Sequence, residues 1–377
     1  MTIDDPAVLN RMSRRFRNFS EQDGQDDRLY AALARHIADD PQLCGLLAEA
    51  PPGQQLPVLL LAALHDCMLD ETVPRSELHD YYPTADGHRP PDDALPAALG
   101  TFVQRHRSRL VQTLRTHATQ TNEIGRCGAL RVALQALMQR LGLGEATPHP
   151  IALFDFGCSA GLNLFVQDYG YEDGWDPQPA GDAAAPVIRG QWRRPPPSAL
   201  KGPRRWQVSE SMGVDPAPVS VSDAIATRWL RACVWPYDEA RGGRLRQALA
   251  LAAARPPRLI AAKDGLQALD HWLSQLPGGT QAVMVNTWVL AYLDPEQRRR
   301  LDQTLAGWTK TRGLAWISGE AGKFSPLSSL PPAAAGEPVE TTTLWTLRWL
   351  DGAQVCTEPL AWAHAHGRWM EWVEQSP

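Results

Sequence analysis

The sequence has almost no lysine and no long apolar run, and both absences narrow the classes of protein it can encode. Lysine occurs only at positions 201, 263, 310 and 323, so nearly all of the 37 basic residues are arginines. They are interspersed with 42 acidic residues and form no basic face typical of nucleic-acid binding. The longest apolar run, residues 56–64, is far shorter than the roughly 20 residues of a membrane span. We therefore expect neither a nucleic-acid partner nor a membrane partner.

Cysteine pairs with metal-binding or redox spacing are also missing. The chain has 6 cysteines, at positions 44, 67, 127, 158, 233 and 356, and no two are separated by only two residues. This spacing predicts neither a zinc site nor a thioredoxin-like motif. No apolar segment follows the arginines near the start, so we expect no signal peptide. Free thiols without a signal peptide predict a cytoplasmic protein, and the oligomeric state is not indicated.

Two histidine-containing pairs look like incomplete metal sites. His65 and Asp66 resemble the His-Asp pair of metal-dependent phosphohydrolases, and His364 and His366 alternate along a predicted strand. Neither pair has the further ligands that a metal centre needs. The sequence predicts no metal site.

Residues 1–147 carry a helical pattern. Apolar residues recur at helical spacing, as in the series Leu130, Leu134, Leu137 and Leu141. No convincing strand appears in this part of the chain. We predict an all-helical N-terminal domain over residues 1–147, which caps the second domain and contributes to substrate binding.

From residue 148 onward, short apolar runs alternate with helical segments. Four of the runs predict buried strands, at residues 151–156, 258–262, 282–285 and 314–318. Strands alternating with helices predict an α/β domain with a Rossmann-like, mostly parallel sheet over residues 148–377. Two final runs, at 342–350 and 362–373, predict an antiparallel edge hairpin. Residues 172–205, rich in Pro, Gly and Trp, predict a long insertion.

The stretch DFGCSAG at residues 155–161 is the most informative motif. A predicted strand runs into a turn of small residues, Gly157, Ser159 and Gly161, and the turn opens a predicted helix that contains Asn163. Glycine permits the backbone angles of such a turn, and the N–H groups at the start of a helix can face a ligand. The spacing fits D-x-G-x-G-x-G with serine at the middle position, which predicts cofactor binding by this turn.

The same letters also spell G-x-S-x-G, the nucleophile elbow of serine hydrolases. Ser159 would then be the nucleophile, and His364 or His366 could complete a triad. Three features oppose this alternative: a long helical region comes first, no Gly-rich segment upstream offers an oxyanion hole, and Asp155 has no evident hydrolase role. A tight turn without any ligand is a further alternative.

Asp155 favours a cationic cofactor over a dinucleotide. A carboxylate just before the turn would repel a pyrophosphate, whereas it would attract a sulfonium and an ammonium group. The sequence therefore favours S-adenosylmethionine as the cofactor.

These features together resemble the class I methyltransferase fold. More narrowly, the chain resembles a bacterial family of unknown function, and the resemblance extends over most of the chain. The resemblance rests on five sequence motifs: QTNEIGRC at 120–127, GCSAGLNL at 157–164, WLRACVWP at 229–236, TWVLAY at 287–292 and HGRW at 366–369.

The methyltransferase resemblance implies further cofactor contacts. An acidic residue ending the second strand would hold the ribose, for which Asp215 is the first candidate and Glu210 the second. Both come later in the chain than the fold's usual spacing, because the insertion intervenes. Asp264, after the third predicted strand, would lie near the adenine, and it also suits an N-cap.

The fourth predicted strand ends at Asn286, where the resemblance places the reacting methyl group. Asn286 could contact the cofactor or orient the acceptor, while Trp288 and Tyr292 would line the substrate pocket. The Pro-Pro-aromatic motif of amino-group methyltransferases is missing. A nucleobase or glutamine acceptor is therefore not supported.

Asn122, Glu123 and Arg126 form a polar cluster just before the predicted domain boundary. We expect Asn122 and Arg126 to bind substrate at the cofactor mouth, although Glu123 and Arg126 could instead pair on a helix surface. If the acceptor needs a base, Glu123, Glu320 and His366 are the candidates. The sequence thus predicts an S-adenosylmethionine-dependent methyltransferase for an unknown small molecule. A serine hydrolase and a non-catalytic binding or scaffolding protein remain as alternatives.

Overall fold

The computed structural model describes residues 5–120, 122–173, 184–197 and 205–374. The chain forms two compact units, one of residues 1–121 and 222–246 and the other of residues 122–221 and 247–377. The sequence placed the boundary at residue 147. In the structure this boundary lies earlier, between residues 121 and 122, because the helix Cys127–Arg140 packs against strands of the second unit. Residues 222–246, assigned to the second domain from sequence, belong to the first unit.

The regular elements of the described residues are as follows. The α-helices are α1 (Pro6–Glu21), α2 (Arg28–Asp39), α3 (Pro41–Cys44), α4 (Pro57–Met68), α5 (Leu95–Thr116), α6 (Cys127–Arg140), α7 (Ala224–Ala232), α8 (Glu239–Ala254), α9 (Gly265–Leu273) and α10 (Pro295–Arg312). The strands are β1 (His149–Phe156), β2 (Gly170–Asp173), β3 (Val187–Arg194), β4 (Trp206–Asp215), β5 (Leu259–Ala261), β6 (Gln281–Thr287), β7 (Ala315–Ala321), β8 (Thr343–Asp351), β9 (Gln354–Ala363) and β10 (Trp369–Trp372).

The first unit is helical throughout its described part. Its helix α4 begins at Pro57, where the missing N–H costs no hydrogen bond, and it is buried on nearly all sides. Asp27 caps α2 by accepting the N–H groups of Leu29 and Tyr30. No described helix combines the length and the apolarity that crossing a membrane requires.

The His65–Asp66 pair has a packing role in this first unit. The Asp66 carboxylate accepts hydrogen bonds from Arg109 Nη2 at 3.0 Å and Arg228 Nε at 2.8 Å. His65 Nδ1 lies 3.0 Å from the carbonyl oxygen of Ala232, and burial lowers the pKa of His65 to about 4. The pair therefore joins α4 to α5 and α7.

The second unit contains a mostly parallel sheet, which in the described residues has ten strands in the order β2-β3-β10-β9-β8-β7-β6-β1-β4-β5. The strands β5, β4, β1, β6 and β7 run parallel to one another, whereas β8 is antiparallel to β7 and β9. The mixed α/β class, the large mostly parallel sheet and the N-terminal helices agree with the sequence prediction. All four predicted strands are present, as β1, β5, β6 and β7, but β5 lies at the sheet edge and is only partly buried.

The far side of the sheet differs from the sequence prediction. The predicted edge hairpin is not formed by its two predicted runs: residues 342–350 correspond to β8, whereas residues 362–373 cover the end of β9, a turn and β10. β8 pairs instead with β9 inside the sheet, which β10, β3 and β2 extend. Part of the predicted insertion, residues 187–194, forms β3, which pairs with β10. Residues 174–183 and 198–204 of that insertion lie outside the described residues.

Candidate active site

The candidate site lies at the carboxyl edge of the central strands of the second unit. The parallel strands β4, β1, β6 and β7 bring their carboxyl ends to this edge, where open α/β sheets bind ligands. The glycine turn follows β1, a loop with Trp288 follows β6, and Glu320 lies near the end of β7.

The glycine turn has three residues in the left-handed backbone region: φ is +77° at Gly157, +49° at Ser159 and +69° at Gly161. The turn does not open a long helix as predicted. It leads into a four-residue 3-10 helix, Leu162–Phe165. An extended helix terminus facing a ligand is therefore not formed here, because the chain turns towards β2 within a few residues.

Packing within the protein accounts for the two glycines of this turn, and a bound ligand is not needed to explain them. A Cβ atom on Gly157 would overlap the Val289 side chain, and one on Gly161 would lie 2.7 Å from Leu259 Cδ2. Positive φ values add to the need for glycine at both positions. The case for a ligand therefore depends on the side chains around the turn.

Asp155 is buried at the end of β1, next to the turn. Its Oδ2 atom accepts a hydrogen bond from Asn163 Nδ2 at 3.3 Å, and Asn163 Nδ2 lies 3.5 Å from Thr287 Oγ1. Burial raises the pKa of Asp155 to about 7, the charge of Asp215 acts in the same direction, and the Asn163 hydrogen bond opposes both. Asp155 and Asn163, both predicted from sequence, are thus brought together.

Glu320 is a second buried carboxyl group at the same edge. Its Oε1 atom accepts hydrogen bonds from Asn286 Nδ2 and from the Val289 N–H, each at 2.7 Å. Its Oε2 atom is buried and has no hydrogen-bond partner in the described part of the chain. Burial raises the pKa of Glu320 to about 7.

Asn286 was predicted to contact the cofactor or orient the acceptor, and its amide is instead engaged within the protein. Its Oδ1 atom accepts from Trp316 Nε1 at 2.6 Å, and its Nδ2 atom donates to Ser318 and Glu320. The side chain is completely buried. Asn286 therefore positions Glu320.

Trp288 and Tyr292 occupy different surroundings. Trp288 has a φ of +58°, and its Nε1 atom donates to Thr343 Oγ1 at 2.8 Å. The guanidinium carbon of Arg126 lies 5.6 Å from the centre of the Trp288 ring. Tyr292 is 69% exposed. The structure thus brings Trp288 to the predicted cluster and leaves Tyr292 on the surface.

The predicted polar cluster before β1 lies beside the glycine turn. Asn122 Nδ2 donates to Ser159 Oγ at 2.8 Å, and the Ala160 N–H donates to Asn122 Oδ1 at 3.4 Å. Glu123 and Arg126 are both buried, so they are not an ion pair on a helix surface. The cluster therefore belongs to the candidate site.

Glu123 lies next to His366, a contact that sequence spacing does not reveal. Glu123 Oε1 accepts the Gly125 N–H at 2.8 Å, and Glu123 Oε2 lies 3.5 Å from His366 Nδ1. His364 and His366 lie in the turn between β9 and β10, where the His366 N–H donates to His364 Nδ1. The prediction that these histidines alternate on a strand was therefore wrong. In the described residues, no three His, Cys, Asp or Glu side chains are grouped to hold a metal ion.

A family model described as "Uncharacterized protein conserved in bacteria (DUF2332)" matches residues 13–372 of the chain. The chain belongs to this family. The match spans both compact units and every residue of the candidate site. No curated protein matches the chain.

Of the remaining predicted contacts of this DUF2332 member, Asp215 and Asp264 lie around the same edge. Asp215 ends β4, and its Oδ2 atom accepts the Ser159 N–H at 3.0 Å. Asp264 caps α9, its Oδ2 atom accepts from Arg300 at 2.9 Å, and this hydrogen bond lowers the pKa of Asp264. Glu210 is exposed in the middle of β4, away from the carboxyl edge. Asp215 is therefore the better placed of the two ribose candidates.

Proposed function

We propose that this protein is an S-adenosylmethionine-dependent methyltransferase that acts on a small molecule. The order of the central strands supports a Rossmann-like cofactor domain. With β2 and β3 set aside, the strands β5, β4, β1, β6 and β7 have the order 3-2-1-4-5, which is found in nucleotide-binding sheets. The glycine turn follows the first of them, as it does in those folds.

The observation that carries the choice of cofactor is the pair of buried carboxyl groups, Asp155 and Glu320. Asp155 lies near the end of β1, and Glu320 lies near the end of β7, two strands away and three residues further along the register. A cation beside a buried carboxyl group favours its ionised form, whereas a pyrophosphate would be repelled. S-adenosylmethionine carries a sulfonium and an ammonium group, so its charge fits these side chains better than that of a dinucleotide.

The residues present fit such a cofactor in three places. Asp155, held by Asn163, would attract its positive charge, and the turn at residues 157–161 would lie against it. Asp215 would hold the ribose, and Asp264 would mark the edge of the adenine region. The cofactor supplies an activated methyl group, so the protein needs mainly to align the acceptor and exclude water.

Thermal unfolding with S-adenosylmethionine and S-adenosylhomocysteine tests this proposal. Each ligand should raise the melting temperature, because it binds the native state only. Asp155→Asn should abolish the increase, whereas Asp264→Asn, at the edge of the site, should retain most of it. The proposal fails if millimolar ligand leaves the melting temperature of the wild type unchanged. Binding without methyl transfer to any acceptor would favour a non-catalytic binding protein.

Ser159 supports a second candidate function, that of a serine hydrolase. Its φ of +49° after a strand resembles the strained backbone of a nucleophile elbow. However, its Oγ atom accepts a hydrogen bond from Asn122, whose amide cannot act as a base. A fluorophosphonate probe should therefore leave Ser159 unlabelled, and Ser159→Gly should retain cofactor binding. Covalent labelling of Ser159 would favour the hydrolase.

A further inference from the structure

Two chain segments far apart in sequence interlock beside the candidate site. A Cβ atom on Gly125 would overlap the carbonyl oxygen of His366, and one on Gly367 would overlap that of Gly125. Arg126 Nε donates to the carbonyl oxygen of Ala365 at 2.8 Å. This backbone-to-backbone packing fixes the turn that carries His366 against the segment that carries Glu123.

The interlock places a buried carboxylate behind a partly exposed imidazole. The Glu123 side chain is 1% exposed and that of His366 is 32% exposed. The Gly125 N–H holds one oxygen of Glu123, and the other faces His366 Nδ1. A carboxylate that faces one imidazole nitrogen orients the ring and favours a proton on that nitrogen, so that the other nitrogen can accept one. This is the arrangement of a base and its orienting group.

Contacts of the neighbouring residues place this pair at the candidate site. Asn122, next to Glu123, bonds to Ser159 in the glycine turn, and Arg126 lies over the Trp288 ring. The pair therefore lies beside the loops that follow β1 and β6.

We propose that His366, oriented by the positioning residue Glu123, is the base that removes a proton from a neutral, hydroxyl-bearing methyl acceptor. This inference depends on the proposed methyltransferase function. The acceptor O–H bond breaks as its oxygen forms a bond to the methyl carbon. The proton passes to His366 Nε2, the carbon–sulfur bond breaks, and its electron pair stays on sulfur, which becomes a neutral thioether.

Charge and reactivity together select the acceptor class. A neutral amine can attack with its own lone pair, whereas a hydroxyl group is a weak nucleophile until a base removes its proton. Among the buried charged residues of the candidate site, three are acidic and one is basic: Glu123, Glu320 and Asp155 accompany Arg126. An anionic acceptor would be repelled, so a neutral hydroxyl compound fits best.

Carbethoxylation by diethyl pyrocarbonate tests the pair without any knowledge of the acceptor. At about pH 8, where an ordinary imidazole is neutral, the rate at each histidine reports how nucleophilic its ring is. His366 should react several-fold faster than the exposed His271 of α9, although it is less accessible. Glu123→Gln should remove this difference, because glutamine retains an oxygen for the Gly125 N–H but lacks the carboxylate charge.

The outcomes separate this inference from the proposed function. An unchanged His366 rate in Glu123→Gln, or a His366 rate below that of His271, would overturn the base assignment even if the cofactor binds. A wild type that binds no S-adenosylmethionine would overturn the methyltransferase, and the carbethoxylation result would then describe the pair alone.

A panel of neutral phenols, alcohols and amines tests the acceptor class, with release of S-adenosylhomocysteine as the readout. We expect transfer to hydroxyl compounds, and His366→Gln should lose it while cofactor affinity stays at the wild-type value. Transfer to amines but to no hydroxyl compound would contradict the inference. So would full activity of His366→Gln on a hydroxyl compound.

Discussion

At the scale of single residues, Asp155 and Glu320 are the unusual groups of the site. A carboxyl group loses its hydration when it is buried, and hydrogen bonds from neutral groups such as Asn163 and Asn286 compensate only in part. The pKa of each is therefore raised to about 7. Both groups are poised to lose a proton near neutral pH when a positive charge arrives.

Asp155→Asn should change how stability depends on pH. The pKa of Asp155 is about 7 in the folded protein, and its ordinary value is 3.8. Between these values the folded state keeps a proton that the unfolded state loses, so the free energy of unfolding falls as pH rises and levels off above the folded pKa. The wild type therefore loses at most about 4 kcal/mol of its free energy of unfolding over this range, and the asparagine variant does not.

Urea unfolding at several pH values measures this difference. The stability of Asp155→Asn relative to wild type should increase from about pH 4 to about pH 7 and then stay constant. Asp264→Asn is the matched control with the opposite sign, because the Arg300 contact lowers the pKa of Asp264 and stabilises the ionised form. Parallel pH profiles for wild type and Asp155→Asn would contradict the account.

At the scale of elements, the apolar runs predicted three buried strands, β1, β6 and β7, and the partly buried edge strand β5. No apolar run indicated β4, because its first part alternates half-buried and exposed residues, and only the methyltransferase resemblance placed a strand that ends at Asp215. The insertion was predicted as a long excursion, and its strands β2 and β3 were missed for the same reason.

The site was predictable only in part, because sequence spacing shows local motifs and not distant contacts. Asp155 and Glu320 could be named because they lie near strand ends, and the Asn122 cluster because its polar residues come just before the predicted domain boundary. The Arg126–Ala365 contact joins positions 239 residues apart, and no periodicity indicates it. Glycine in both segments, at Gly125 and Gly367, was the available signal, but only the fold shows that the two glycines meet.

Gly367→Ala should disrupt the interlock. Gly352, in the turn between β8 and β9, is the matched control: it has a φ of +57° and open space where a Cβ atom would lie, whereas Gly367 has a φ of +71° and its Cβ atom would overlap Gly125. We expect Gly352→Ala to cost about 1 kcal/mol from backbone strain alone. Gly367→Ala should cost clearly more.

The same variant should slow carbethoxylation of His366, because the imidazole loses its fixed position beside Glu123. Thermal unfolding and peptide mapping of the two variants measure both effects. Equal stability losses in Gly352→Ala and Gly367→Ala would show that the interlock contributes little.

At the scale of the whole molecule, the named residues of the candidate site all come from the second unit. The first unit has its own helical core and its own ion network, in which Asp66 joins Arg109 and Arg228. Asp66→Asn should therefore lower the free energy of unfolding by about 2 kcal/mol while cofactor affinity stays unchanged. Thermal unfolding and ligand titration of this variant check the two parts. A large loss of affinity in the stably folded variant would mean that the first unit contributes to cofactor binding.

The central claim is that buried carboxyl groups bind a cationic cofactor, and titration calorimetry in two buffers of different ionisation enthalpy tests it most directly. Near pH 7, binding of S-adenosylmethionine should release protons, because the sulfonium and ammonium charges favour the ionised forms of Asp155 and Glu320. S-adenosylhomocysteine, which lacks the sulfonium charge, should release fewer, and Asp155→Asn should reduce the release further. Binding with the same heat in both buffers, or no binding at millimolar ligand, would contradict the account.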